Sequence, residues 1–111
     1  MTEKGQRWVM HQQAEAQNVG GMIRRVLAFD KELMCVENTF TKGVAAPLHS
    51  HPHLQIAYIV EGVFDVEIDG EVKTLSKGDS VWLPSNIPHS VTCLEDGIVL
   101  DIFNPMREDF V

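Results

Sequence analysis

Apolar and polar residues alternate sharply over residues 63–68, with Phe64, Val66 and Ile68 on one side and Asp65, Glu67 and, just beyond the run, Asp69 on the other. A period of two predicts a half-buried strand. Similar runs predict strands over 22–28, 33–40, 72–75, 80–83, 89–94 and 98–103. Residues 56–60 are almost continuously apolar, as expected of a strand covered on both faces. Gly20-Gly21 opens the first strand, and Gly62 is read as the end of the 56–60 strand. Asp69-Gly70 and Asp96-Gly97 read as hairpin turns, because Asp and Gly tolerate positive φ. Residues 1–20 are polar, and Trp8-Val9-Met10 predicts a short edge strand or an arm laid across a partner subunit. No stretch has a convincing helical period. Roughly eight or nine short strands follow, with a turn signal about every 8–12 residues, which calls for an all-β barrel or sandwich.

The length of 111 residues fits one domain, divided into an arm (1–20), a barrel (22–103) and a tail (104–111). Net charge is −7, and the densest basic run is Arg24-Arg25. Phosphate neutralisation needs clustered Lys and Arg, so a nucleic-acid surface is not expected. No run is long and apolar enough for a membrane span or a signal peptide, so a cytoplasmic location is expected. Cys35 and Cys93 lie in apolar, strand-like contexts and read as free thiols.

Three of the five histidines fall in the run His49-Ser-His51-Pro-His53. Imidazole is a ligand for several transition metals, and clustered histidine is rarely needed for packing. On a strand, His49 and His51 face the same way, and Gln55 keeps their parity. His89, after a proline loop, can complete the site from a distant strand. Three imidazoles and one amide oxygen leave an open coordination position, as catalytic sites require. Zn, Ni, Mn and Fe are all compatible with such donors. His53 has the same parity, but a fifth protein ligand would crowd the ion. It is expected near the mouth, in contact with substrate, or at the surface.

Val99, Asp101 and Phe103 share one face of the last strand. A carboxylate between apolar neighbours needs a partner or a task. Asp101 therefore either looks into the metal cavity with a functional task or is the structural partner of Arg24, Arg25 or Arg107. Arg107, in the tail, is placed to fold over the cavity mouth and grip a carboxylate.

These residues resemble the cupin motifs. The first runs from Gly43 through His49, His51 and Gln55 to Gly62; the second contains Gly78, Pro84 and His89. Gln55 stands where cupins usually carry glutamate, Asn86 where they carry glycine, and Cys93 where they carry asparagine. Together with the segment from Asp101 to Phe110, the chain is similar to the small pectin-degradation cupins of the KdgF type, in which an amide is used at the Gln55 position. The resemblance implies a cupin double-stranded β-helix, or jelly-roll barrel, and a homodimer. It implies one divalent metal on His49, His51, Gln55 and His89, with Asp101, Phe103 and Arg107 as active-site residues. The implied substrate is a small anionic sugar, a 4,5-unsaturated uronate converted to the linear 4-deoxy-5-keto form without redox change. Asp101 is the expected acid and base. Two other functions fit a cupin: a non-enzymatic sugar- or metal-binding module, and an iron-dependent dioxygenase.

Overall fold

Two long strands carry the architecture. The computed structural model describes residues 5–111, and in chain order its strands are β1 (Gln17–Val19), β2 (Met22–Asp30), β3 (Leu33–Phe40), β4 (Ala45–His49), β5 (Leu54–Ile68), β6 (Glu71–Ser76), β7 (Ser80–Leu83) and β8 (His89–Asn104). Single turns of 3-10 helix occur at His11–Gln13 and Glu108–Phe110. Every strand pairing is antiparallel. The hydrogen-bonded order is β1-β2-β3-β8-β5-β6, with β4 added to β8 and β7 to β5.

β5 and β8 pair along nearly their whole lengths, and this ribbon passes through both halves of the molecule. Its first half, residues 54–61 against 98–104, is flanked by β7 and β3. Its second half, residues 63–68 against 89–95, is flanked by β6 and β4. The result is an all-β jelly-roll barrel: the alternation predicts a barrel or sandwich, and the cupin resemblance implies the jelly roll.

The ribbon folds over at Gly62 and Gly97, where the register shifts. A side chain on Gly62 would come within 2.6 Å of Gly97 Cα, and one on Gly97 within 2.8 Å of Gly62 Cα. Two backbones in such contact exclude any Cβ. This corrects two sequence expectations: Gly62 does not end a strand, and Asp96-Gly97 is not a hairpin turn. Asp69-Gly70 is one, with φ of 50° and 87° joining β5 to β6. Gly20-Gly21 likewise joins a hairpin, because the three-residue β1 precedes it. Trp8-Val9-Met10 forms no strand; nearby, Gln6 makes an isolated bridge to Phe29.

Alternation sorts the side chains. Met34, Val36, Asn38 and Phe40 of β3 and Val99, Asp101 and Phe103 of β8 are buried. Phe40, Ile59, Phe64, Val66, Cys93 and Val99 form one apolar cluster, with Phe40 packed edge-on to Phe64 at 5.2 Å. Met34, Val36, Phe103 and Met106 form a second. Each large side chain buried there contributes about 1.5–3 kcal/mol. Along β3 and β8, Asn38 and Asp101 lie between the two clusters, so a polar layer crosses the barrel. Cys35 and Cys93 are free thiols. No helix among the described residues is long and apolar enough to cross a membrane.

Candidate metal centre and buried carboxylate

His49 ends β4, His89 begins β8, and the two are paired in register. His51 is not on a strand; it lies in the bend that Pro52 and His53 make before β5. Strand parity, the expected reason for its meeting His49, is therefore replaced by loop geometry. One ligand nitrogen from each of His49, His51 and His89 lies within 4.8 Å of the others. Each Nδ1 faces a backbone carbonyl two residues away: Pro47 at 2.6 Å, His53 at 3.1 Å and Ile87 at 2.9 Å respectively. An Nδ1–H donated there leaves Nε2 with its lone pair free, the tautomer that a metal requires. Burial, followed by Arg107, pushes His51 down to about 4, and burial lowers His89 as well. His51 is therefore neutral at pH 7.

Gln55, on β5, links this cluster to Asp101. Its Nε2 donates to Asp101 Oδ1 at 2.8 Å, so its Oε1 is turned toward His51 Nε2, 2.9 Å away. With the His51 proton on Nδ1, two acceptors face each other across this contact. A cation between them relieves that conflict, so the donor set fits a divalent ion held by His49, His51, His89 and Gln55.

Asp101 lies opposite Val36 on β3 and Ala57 on β5, diagonal to Asn38 and Gln55. Both amides reach it: Asn38 Nδ2 donates to Oδ2 at 2.7 Å, complementing the bond from Gln55. No arginine forms an ion pair with Asp101 among the described residues. Burial pushes its carboxyl up to about 6, against the lowering effect of the two amides. A buried carboxylate near neutrality is suited to taking and returning a proton.

A family model described as "Cupin domain" matches residues 37–103. The pectin degradation protein KdgF of Dickeya dadantii (strain 3937) is 41% identical over 93 residues, covering 82% of this chain and 84% of that protein. The solved structure of KdgF from Halomonas sp. superposes with a TM-score of 0.89 at 36% identity, covering 94% and 97% of the two chains. The chain belongs to the KdgF-type cupins. An RmlC-like cupin from Shewanella frigidimarina NCIMB 400, solved as a crystal structure, has a TM-score of 0.95 at 40% identity, covering 99% of this chain and all of that one.

In this cupin, a cavity of about 360 Å³ opens beside the polar layer, lined among others by His49, Gln55, His89, Asp101, Phe103 and Arg107. That volume suits a monosaccharide. The Arg107 guanidinium is 5.1 Å from the centre of the Phe103 ring and 4.3 Å from that of Phe110. It is also forked onto Asp109, with bonds of 3.1 and 3.0 Å. His53 is outside the three-histidine cluster; its ring lies 5.5 Å from His51 and 6.4 Å from Phe103. Asn86 has φ of 64°, so it adopts the left-handed conformation that explains a glycine at this cupin position. Asn38 carries no sequence signal beyond a polar residue at an inward position of β3, whereas Arg24, expected only in a basic run or as a structural partner of Asp101, lines the cavity and forms no ion pair with Asp101 among the described residues.

Proposed function

We propose that this protein opens the ring of 4,5-unsaturated uronate monosaccharides and ketonises them to linear 4-deoxy-5-keto-uronates. The observation that carries this reading is the buried Asp101, joined through Gln55 to the three-histidine cluster and facing a cavity also lined by Arg107. Likeness to a pectin degradation protein supports the substrate class.

The substrate is a cyclic hemiacetal whose double bond is conjugated to a carboxylate. Asp101 takes the proton of the anomeric hydroxyl as the C1–O5 bond breaks, leaving an aldehyde at C1 and an enolate oxygen at C5. A proton returned by Asp101 to C4 completes the ketone. The reaction is an isomerisation with no change of redox state. Asn38 and Gln55 fix the carboxylate, while Phe103 forms an apolar wall and Arg107 balances negative charge. His49, His51, Gln55 and His89 would hold a divalent ion, which would supply Lewis acidity toward a substrate oxygen.

The test is turnover of an unsaturated galacturonate by zinc-loaded protein, followed by loss of conjugated-acid absorbance and by NMR of the product. Turnover with redox-inert zinc is expected, and chelation should remove it. Asp101→Ala should lower the rate by about 100-fold or more while zinc remains bound. Failure of the wild type to exceed buffer rejects the reading, and oxygen uptake by iron-loaded protein would favour a dioxygenase.

A further inference from the structure

Arg24 lies directly across the β2–β3 pair from Asn38, the residue that holds Asp101. Opposed residues on neighbouring strands face the same way. Arg24 accordingly lines the same cavity as Asp101 and His89. Its guanidinium carbon sits 3.6 Å from the centre of the Phe110 ring, which fixes the plane of the group. Its Nε is buried without a hydrogen-bond partner. No carboxylate forms an ion pair with Arg24 among the described residues. Asp101 and Asp109 act on it only through space, while burial and the neighbouring Arg107 lower its pKa.

The two cavity arginines thus differ in what they can still bind. Arg107 has its fork occupied by Asp109. Arg24 is a stacked, partly desolvated cation whose fork pairs with no carboxylate among the described residues. Such a group matches a planar carboxylate in shape and charge, and the stacking restricts its freedom before the ligand arrives.

We propose that Arg24 anchors the carboxylate of the uronate, making it a specificity-determining residue of this site; the assignment of substrate rests on the ring-opening reading above. The carboxylate is bonded to C5, next to the reacting C4 and O5. Holding it at Arg24 would orient those atoms toward Asp101, and neutral hexoses would leave the cation unpaired in the cavity.

Saturated D-galacturonate, which lacks the reacting double bond, separates anchoring from chemistry. Calorimetry on zinc-loaded protein should show that wild type binds it and binds D-galactose at least about tenfold more weakly. Arg24→Met keeps an apolar stem against Phe110 and should weaken galacturonate binding by about tenfold or more. It should raise KM for the unsaturated substrate with a much smaller change in kcat. Arg24→Lys, which keeps the charge without the fork, should lose at least about threefold in affinity. No galacturonate binding by wild type, or wild-type affinity in either variant, overturns the proposal. Galacturonate bound through Arg24 without turnover of the unsaturated sugar would reject ring opening alone. Turnover with an unchanged KM in Arg24→Met would reject the anchor alone.

Discussion

At residue scale, the amide of Gln55 does what a carboxylate there could not: its nitrogen donates to Asp101 while its oxygen turns toward His51. Glutamate would set two carboxylates against each other, and one would have to stay protonated. The environment of Asp101 has a consequence for stability. In the unfolded chain its carboxyl titrates near the ordinary 3.8, whereas in the folded chain it retains its proton to about 6. Between those values the folded state binds more protons, so this group removes stability as pH rises. His51, lowered to about 4 from 6.5, binds fewer protons when folded and adds stability over an overlapping range. The two slopes oppose each other in the metal-free protein. Asp101→Asn removes the first, so its stability should rise more steeply with pH than that of wild type. Urea melts should show the wild-type advantage over the variant falling by up to about 3 kcal/mol between pH 4 and 6. A pH-independent difference would mean that the Asp101 carboxyl is not perturbed. The residues that share a motif, His49, His51, Gln55 and His89, were legible from spacing. Asn38 was not, because it is one polar residue in an apolar alternation, and Arg24 was legible only as a possible partner of Asp101, not as a cation lining the cavity. Only the pairing of β3 with β2 and β8 reveals what each faces.

At the scale of elements, the two Asp-Gly pairs show where local reading succeeds and where it fails. Asp69-Gly70 turns the chain because both residues take positive φ. Asp96-Gly97 carries the same letters within one continuous strand, β8. Its glycine is required by the opposing backbone at Gly62, and no local window contains that neighbour. Local pattern therefore predicts two strands in place of each of β5 and β8, whereas alternation alone identifies their inward and outward faces. Gly97→Ala has no flexible side chain to push aside, since the atoms it would meet are backbone. It should destabilise the fold by about 3 kcal/mol or more in chemical denaturation. Gly62→Ala should cost a similar amount, with the strain of φ at 87° added. Because both variants open the same contact, their combined cost should fall short of the sum. A loss below about 1 kcal/mol in either would mean that the ribbon can separate there without disturbing the core.

At the scale of the whole molecule, the outward surface of the β7-β5-β8-β3 half carries a contiguous strip of exposed apolar side chains. Ile56 is 47% exposed, Tyr58 43% and Trp82 55%. Ile56 is paired with Trp82 on one side and Ile102 on the other, and Tyr58 with Leu100, so these side chains form a continuous face. Next to it, Leu33, Cys35 and Ile102 line a groove of about 520 Å³ that also touches Gly5 and Arg7. Trp8, 80% exposed, follows directly in the same segment. A face of this kind is costly to leave in water. A second copy of the chain is the occupant we expect, because one two-fold contact would cover the strip on both molecules at once. A stable pair needs roughly 800 Å² buried on each partner, and the groove beside the strip extends the face such a contact can cover. Sedimentation equilibrium at micromolar concentration should give a dimer. Ile56→Lys places a charge at the centre of the face and should shift the mass to monomer. Because Ile56 points away from the cavity, zinc and galacturonate binding should persist in that monomer. A wild type that sediments as a monomer, or an Ile56→Lys variant that remains dimeric, would remove this face as the contact.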